Sequence, residues 1–432
     1  MSFLTLAARA KGPLALLGRA RGIIHHYGLT PDRMGQALDL FVQTLRPFDC
    51  GATFPLTAVV LKRNSNTIAK YLDQDIEFAV HGYVHIDYAH LAPEEQRVHL
   101  RHARDVFADE GITAVGFRSP YLAAGPHLYT AASAAGFSYV SNQPVIWDAL
   151  EQDAFTPSTY ASYEQALVFY DPWQVSKRPS VPRLRGQLVE IPVSLPDDEI
   201  LLDRLDGEAQ GLVEKVWVHI LRQSHQRGEL FTIQLHPERI AGCVEGLSAV
   251  LDEARTLTPP VWVARLNEIA TWWRARAEAT VSITERHSGG FDLRVDGPSG
   301  TAVLARDVET DAPTAPWADG YQKVQSTAFT VHASQRPFLG LSPTTPPKLV
   351  HFLQQQGYIL EINEESHRYP CYLDTTNFEA GHERALLDQI EEEGHPLVRL
   401  GRWPNGARSA LAVTGDIDAL TLWDYGLRVL GK

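Results

Sequence analysis

Two histidines four residues apart, His81 and His85, have the clearest capacity for chemistry in this sequence. If the backbone there is helical, this spacing places both imidazoles on one face, close enough to share a metal ion. The apolar run 76–80 before them predicts a buried strand that delivers His81 to a strand end, where α/β proteins usually place their chemistry. Taken alone, a structural or surface pair is the better interpretation, so the accompanying residues decide.

Two aspartates near the end of the chain form a second polar group. Asp416 and Asp418 directly follow the apolar run 409–413, which predicts a buried strand. Carboxylates at positions i and i+2 beyond such a strand are a poor structural choice unless a cation or a reaction uses them. A turn in which one aspartate caps the following helix explains the pattern equally well.

Composition limits the class of protein. A chain of 432 residues suggests two or three domains, and 44% hydrophobic with 21% charged residues is ordinary for a soluble globular protein. The net charge of -13 argues against binding to nucleic acid through phosphate contacts. Three cysteines, Cys50, Cys243 and Cys371, are too far apart for a CxxC metal site and fit a reducing compartment.

The sequence contains no segment that resembles a membrane span or a clean signal peptide. No run of about 18 apolar residues occurs anywhere. The apolar residues near the start are interrupted by Arg9 and Lys11, and an ordinary helix explains this segment better than an interfacial one. We therefore expect a cytoplasmic protein with no integral membrane segment.

Strand-like and helix-like segments alternate up to about residue 277. The strand-like segments are residues 51–55 with 58–61 at the strand exit, 76–80, 112–117, 137–140, 188–192 and 230–235. The helix-like segments are residues 31–45, 92–110, 126–135, 208–226 and 263–277. This alternation predicts an α/β fold with a parallel sheet or barrel. Residues 151–189 predict long surface loops that could form the walls of a substrate groove.

The texture of the sequence changes after Ala279. Residues 280–304 alternate apolar and polar side chains around glycine-rich turns, which predicts antiparallel hairpins. A helix at 344–357 and a strand at 358–362 follow, so we expect an accessory α+β region. A final helix is marked by an apolar face of Leu420, Trp423, Leu427 and Leu430. The predicted domains are 1–279, 280–398 and 399–432, the last completing the first.

Three short motifs follow one another at predicted strand ends: His81-Gly-Tyr-Val-His85, Arg118-Ser-Pro-Tyr121 and Leu235-His236-Pro237. Together they resemble the signatures of the polysaccharide deacetylases, the NodB-homology carbohydrate esterases. The resemblance covers about residues 50–277. It implies a distorted (β/α) barrel that holds a divalent metal, usually zinc.

One departure from the family pattern concerns the order of the chain. The family normally begins with an Asp-Asp or Asp-x-Asp motif on its first strand, and nothing before His81 matches it. The segment from Val413 to Ala419, which contains Asp416 and Asp418, is similar to the missing motif. We interpret this as a circular permutation, which close domain termini make tolerable. Alternatively, this C-terminal segment completes the barrel of a neighbouring subunit, or it is a truncated second copy of the domain.

The resemblance implies a metal site formed by Asp418, His81 and His85. Two imidazoles and one carboxylate suit a borderline ion, so zinc is the first candidate, while iron, cobalt or nickel would fit similarly. Three protein ligands leave positions for water and substrate.

The resemblance also implies the catalytic residues. Asp416 would act as general base and His236 as general acid. Arg118 would orient Asp416, and the backbone N–H of Tyr121 would help to stabilise the oxyanion.

The function implied is that of a metal-dependent hydrolase removing N-acetyl groups from an amino-sugar-containing saccharide or glycoconjugate. The partner would be an N-acetylated saccharide, with a nucleotide- or lipid-linked form as our hypothesis, and a homo-oligomer is compatible with the sequence. One alternative is a catalytically inactive, glycan-binding member of the same fold. Another is a metal hydrolase of a different amide, such as a cyclic amide or ureide.

Overall fold

The computed structural model describes residues 26–205 and 211–431. The helix expected near Arg9 and Lys11 lies outside these residues. Within the described ranges, no helix combines the length and the apolar character needed to cross a membrane.

The part of the chain up to Ala277 alternates strands and helices. Its strands are β1 (Ala52–Leu56), β2 (Ile76–Val80), β3 (Gly116–Phe117), β4 (Tyr139–Val140), β5 (Pro144–Ile146), β6 (Trp173–Gln174), β7 (Arg183–Arg185), β8 (Leu188–Glu190), β9 (Val193–Leu195), β10 (Leu230–Leu235) and β11 (Val261–Val263). Its α-helices are α1 (Asp32–Leu45), α2 (Ala58–Arg63), α3 (Ser65–Ile68), α4 (Pro93–Asp109), α5 (Leu128–Ala134), α6 (Pro157–Tyr170), α7 (Leu212–Arg227), α8 (Val244–Thr256) and α9 (Leu266–Ala277).

The remainder of the chain is richer in strands. Its strands are β12 (Thr280–Glu285), β13 (Phe291–Asp296), β14 (Val303–Arg306), β15 (Glu309–Thr310), β16 (Thr314–Pro316), β17 (Tyr321–Val324), β18 (Ala328–His332), β19 (Leu339–Leu341), β20 (Leu360–Ile362), β21 (Cys371–Leu373), β22 (Leu397–Leu400) and β23 (Ser409–Gly415). Its α-helices are α10 (Pro347–Gln356), α11 (Glu383–Glu392) and α12 (Leu422–Val429).

A nine-stranded sheet forms the centre of the molecule. Its strand order is β10-β23-β1-β2-β3-β4-β8-β7, with β11 also paired to β23. Neighbouring strands are parallel, except that β7 is antiparallel to β8. The predicted α/β class with a largely parallel central sheet is confirmed.

The strand formed last in the sequence, β23, lies inside this sheet between β10 and β1. It pairs with β10 over six residues, from Leu230 opposite Ala410 to Leu235 opposite Gly415. On its other edge β23 pairs with β11 and then with β1, where Thr53 lies opposite Thr414. All seven residues of β23 are buried, as expected for a parallel strand covered on both faces.

Aromatic packing fits α1 closely against the sheet. The apolar stripe of this helix includes Phe41, whose ring packs edge-on against Phe54 of β1 with a centroid distance of 5.0 Å. A Cβ atom on Gly415 would lie 2.9 Å from the Phe54 ring. Glycine is therefore required at the end of β23 for this packing.

Two predictions were wrong in part. The predicted strand is present as β1, but residues 58–61, expected at its exit, form helix α2, whose first N–H groups donate to the carbonyls of Gly82 and Tyr83. The β-branched Val59 and Val60 favour a strand only weakly, and this tertiary contact overrides them. Residues 151–189 are not only loops, because Pro157 and the side chain of Thr156 begin the 14-residue helix α6.

The accessory region after Ala279 contains two four-stranded sheets, β12-β13-β18-β15 and β16-β17-β14-β22. The predicted hairpin is present, since β12 pairs antiparallel with β13 around Gly289 and Gly290, both of which have positive φ. A three-stranded sheet, β20-β19-β21, lies with α10 and α11. Strand β22 crosses the predicted boundary at residue 398, and the three-part division stays a proposal.

We expect Leu411→Ala in β23 to lower the free energy of unfolding by about 2–5 kcal/mol. Leu411 is fully buried in the main core, so the substitution leaves a cavity between the central strands. Urea unfolding followed by circular dichroism measures the effect. The control is Leu29→Ala, because Leu29 is 87% exposed and should change stability little. Equal effects of the two substitutions would contradict the central position of β23.

Candidate active site

The residues singled out in the sequence lie at the carboxyl ends of neighbouring parallel strands. His81 follows β2, Arg118 follows β3, and His236 follows β10. Asp416 follows β23, and its backbone N–H donates to the carbonyl of Leu235 at 2.8 Å. Asp416 therefore lies beside His236, and the topology brings all four positions to one edge of the sheet.

The segment between the two histidines is a loop, so the helical condition under which the spacing would place both on one face is not met. The His81 N–H donates to the Leu56 carbonyl at 2.9 Å, which extends the pairing of β2 with β1. Gly82 then adopts a φ of 89°, and the Tyr83 N–H donates to the Tyr88 hydroxyl at 2.8 Å. This tight turn still brings the imidazoles of His81 and His85 together, with ring centroids 5.2 Å apart.

Asp418 meets both histidines. Its Oδ1 lies 3.3 Å from Nε2 of His81 and 3.2 Å from Nε2 of His85, and all three residues are buried. The Nδ1 of His81 lies 2.9 Å from the carbonyl of Arg118, which fixes the ring and directs Nε2 at Asp418. Burial and the nearby Arg428 guanidinium lower the pKa of His85 to about 4, so its imidazole is neutral at pH 7.

Arg428 holds the other oxygen of Asp418. The distance from its Nη1 to Oδ2 of Asp418 is 2.6 Å, and little of either side chain is exposed. Burial disfavours the ionised carboxylate, but the charges of Arg428 and His85 hold the pKa of Asp418 well below its usual range. Asp418 is thus a carboxylate whose Oδ1 faces two imidazoles while its Oδ2 faces a cation.

The helix that carries Arg428 is rotated relative to the sequence prediction. Trp423 and Leu430, expected on its buried face, are 70% and 67% exposed. The face turned inward carries Asp424, which accepts a hydrogen bond from the Thr421 hydroxyl and pairs with Arg63 at 3.3 Å, while Leu422 and Tyr425 pack against the main core. Asp424 and Arg428 therefore set the orientation of α12 together with this partly buried apolar contact.

Asp416 pairs with Arg118 in the interior. Nη1 of Arg118 donates to Oδ1 of Asp416 at 2.7 Å and to the Thr414 hydroxyl at 2.8 Å. The second carboxylate oxygen accepts from the side-chain amide of Gln234 at 3.0 Å. Ser141 accepts the remaining bonds of the guanidinium. Because both side chains of the pair are almost fully buried, this network leaves the carboxylate one orientation.

His236 pairs with Asp198 rather than with the other histidines. Its Nδ1 donates to Oδ1 of Asp198 and its backbone N–H donates to Oδ2, both at 2.7 Å. Burial disfavours the imidazolium, but the charge and hydrogen bond of Asp198 raise the pKa of His236 well above its usual value. The neighbouring Asp197 has its pKa raised to about 7, first by burial and then by the charge of Asp198.

Tyr121 lies against the metal-ligating candidates. Its backbone is in the left-handed region with a φ of 62°, within the short 3-10 turn Pro120–Leu122. Its ring packs edge-on against His85 with a centroid distance of 4.7 Å, and the Arg428 guanidinium lies 5.9 Å from the ring centroid. The strained residue is therefore held by contacts on both sides.

Sequence reasoning missed Asp198, Gln234 and Arg428. Asp198 carried a usable signal, since Asp197 and Asp198 follow the buried strand β9 closely, the same pattern that singled out Asp416. Gln234 and Arg428 carried none. A glutamine inside a strand and an arginine near a helix end have ordinary surface roles in most sequences.

Fold and site together define an α/β protein with a buried His₂–Asp cluster at the carboxyl edge of its sheet. The family model of the polysaccharide deacetylases matches residues 26–140, so this part of the chain is similar to that family. The comparison with curated proteins gave no match.

Three solved structures are similar to part of the chain. PuuE allantoinase is 18% identical and the match covers 55% of this chain and 72% of that one, with a TM-score of 0.43. A Mycobacterium smegmatis protein assigned to the polysaccharide deacetylases is 20% identical over 58% of this chain and 81% of that one, with a TM-score of 0.42. A probable polysaccharide deacetylase from Pseudomonas aeruginosa PAO1 is 18% identical over 55% and 73%, with a TM-score of 0.40.

Removing Arg118 should destabilise the protein through Asp416. We expect Arg118→Leu to cost about 3–5 kcal/mol, because it leaves a buried carboxylate without its cation. The double variant with Asp416→Asn should cost less than the sum of the two single variants. Urea unfolding of the wild type and the three variants completes the cycle. Strict additivity would show that the two side chains do not interact.

Proposed function

We propose that this protein is a metal-dependent deacetylase that hydrolyses the N-acetyl group of an amino-sugar-containing saccharide or glycoconjugate. The family match over residues 26–140 supports the reaction class. The observation that carries the proposal is the buried group of His81, His85 and Asp418, whose ligand atoms converge within 4.8 Å of one another.

The donor atoms of this group fit a divalent cation. Among the described residues, the buried Oδ1 of Asp418 has no hydrogen-bond partner, which is costly unless a cation occupies the space that it faces. Because Nδ1 of His81 is turned to the Arg118 carbonyl, Nε2 of His81 faces that same oxygen. Ligand atoms around a tetrahedral zinc ion lie about 3.3 Å apart, given bond lengths of about 2.0–2.1 Å. The distances of 3.2 and 3.3 Å match this value.

Zinc is the metal we propose, held by His81, His85 and Asp418, because a borderline ion suits two imidazoles and a carboxylate. When bound, such a metal polarises the acetyl carbonyl and makes a water molecule more acidic. Arg428 keeps Oδ2 of Asp418 occupied, which leaves Oδ1 as the oxygen available for ligation.

The proposed acid and base are Asp416 and His236. Asp416 takes the proton from the attacking water, while Arg118 and Gln234 hold its carboxylate in place. His236 gives a proton to the leaving amine, and Asp198 keeps the imidazole protonated and oriented. The backbone N–H of Tyr121 is the proposed donor to the oxyanion. The products are a free amino sugar and acetate.

The position of β23 supports a circularly permuted chain. Because β23 pairs with both β10 and β1, Asp416 and Asp418 follow a central strand next to the strand that precedes His236, which is the position proposed for the family's first strand. We also propose a cytoplasmic location, supported by Cys50, Cys243 and Cys371, all of which are free thiols.

Substitution of Asp418 should impair zinc binding, whereas substitution of Asp416 should impair catalysis alone. We expect Asp418→Asn to lose most of its zinc, because an amide replaces the ionised ligand. Asp416→Asn, an isosteric change two residues away, should keep near-stoichiometric zinc but lose about 10²–10⁴-fold in the rate of acetate release. Elemental analysis and an acetate assay on chitooligosaccharides measure the two effects. Equal zinc in wild type and Asp418→Asn would reject the proposed ligand set.

The pH dependence should report His236. Its raised pKa means that the protonated acid is present at neutral pH and is lost as the pH rises through that pKa. Asp198→Asn removes the charge that raises the pKa, so the basic limb of the kcat/KM profile should move to lower pH. Zinc content should remain unchanged. An unmoved basic limb would exclude His236 as the titrating acid.

A further inference from the structure

A second cavity, of about 350 Å³, lies between the central sheet and the accessory region. On the sheet side it is lined by Arg227, Gly228 and Arg402, which precede β10 and β23. On the accessory side it is lined by Trp317 and Tyr321. Its volume falls in the range of small-molecule sites.

This cavity is remote from the proposed active site. Gly228 lies just before the amino end of β10, whereas His236 follows its carboxyl end. A six-residue strand spans about 20 Å, so the two sites occupy opposite edges of the sheet. Residues lining this cavity have no place in the deacetylation proposed above.

The lining of the cavity carries an excess of positive charge. Its arginines are Arg227, Arg384, Arg399, Arg402 and Arg408. Its carboxylates are Asp319, Asp388 and Glu391. Arg408 pairs with Asp319 at 2.8 Å, Arg399 pairs with Glu391, and Arg384 pairs with the buried Glu229. Among the described residues, neither Arg227 nor Arg402 has a carboxylate within 4.0 Å.

The positive charges in and behind this lining lower one another's pKa values. Burial and the charge of Arg399 lower the pKa of Arg402 to about 10, and Arg276 just behind it is lowered to about 9 by burial and by Arg402. Among the described residues, Nε of Arg399, Nε of Arg402 and Nη1 of Arg227 are buried and have no hydrogen-bond partner, so the charge of the cluster is not offset at these atoms. Arg399 itself is only 8% exposed. The cavity wall therefore carries surplus positive charge, which an anion would offset.

We propose that this cavity binds a small phosphate-bearing molecule, with the phosphate group between Arg227 and Arg402. The planar guanidinium fork matches the oxygens of a phosphate group, and charge-assisted bonds of this kind are strong. A single phosphate ion would leave much of the volume unfilled. The rest of the ligand lies against Trp317, whose ring is fixed by a hydrogen bond from Nε1 to the Gly406 carbonyl at 2.8 Å.

Isothermal titration calorimetry on the full chain tests the proposal with ribose 5-phosphate, pyrophosphate and unphosphorylated ribose. We expect saturable, salt-sensitive binding of the two phosphate probes and none of ribose. Arg402→Gln and Arg227→Gln should each weaken binding at least about tenfold. The matched control is Arg222→Gln, because Arg222 lies on the same helix as Arg227 but is exposed and pairs with Glu253. The affinity of Arg222→Gln for the phosphate probes should equal that of the wild type.

Arg402 also donates to the carbonyls of Arg227 and Gly228 at the end of α7, so its substitution could impair folding. Arg227→Gln leaves the hydrogen bonds from Arg402 to these backbone carbonyls in place. Its affinity therefore tests the proposal if Arg402→Gln does not fold. If neither ribose 5-phosphate nor pyrophosphate shows saturable binding at millimolar concentration, the proposal is overturned. Equal affinity of Arg227→Gln and wild type, or binding of ribose as tight as that of ribose 5-phosphate, would do the same.

Discussion

The backbone hydrogen bonds of β23 are the interaction on which the rest of the site depends. They place this strand against β10 on one edge and β1 on the other. Since the register is fixed residue by residue, Asp416 emerges beside His236, and Asp418 emerges within reach of the histidines that follow β2. The positions of the side chains at this edge are therefore set by the main-chain pairing of β23 inside the sheet.

Each carboxylate proposed to act at the site has its own cationic partner. Asp416 has Arg118, Asp418 has Arg428, and Asp198 has the imidazole of His236. Buried ion pairs of this kind contribute little net stability, but breaking one of them is costly. Their value here lies in orientation, because each pairing fixes its carboxylate, and at Asp418 the pairing of Oδ2 with Arg428 leaves Oδ1 directed at the two histidines.

Much of the site was predictable because its residues follow strands that their apolar runs reveal. His81, Asp416 and His236 each stand directly after such a run, and parallel strands bring their carboxyl ends together. The loop between His81 and His85 was not predictable, since its turn depends on Tyr88 and on a positive φ at Gly82. The same spacing suits a helix, and local pattern alone does not distinguish the two.

The partners of the site residues were harder to predict, because their roles arise only from tertiary contact. Arg428 reaches Asp418 because α12 turns polar side chains inward, against the apolar periodicity of its sequence. Gln234 points at Asp416 from the next strand. Helix α2 likewise forms where Val59 and Val60 suggest a strand, because carbonyls of the histidine loop accept from its first N–H groups. In each case a long-range contact outweighs the local preference.

Placing the last strand at the centre of the sheet also has a consequence for biosynthesis. A ribosome makes β1, β2 and β10 long before β23. Arg118 and the Thr414 hydroxyl to which it donates are 296 residues apart in the sequence. Until β23 is made, the facing edges of β1 and β10 have no strand between them, and such edges invite pairing with other chains. The central sheet can close only after Gly415 has been made, so β1 and β10 lack their shared neighbour while the whole accessory region is synthesised.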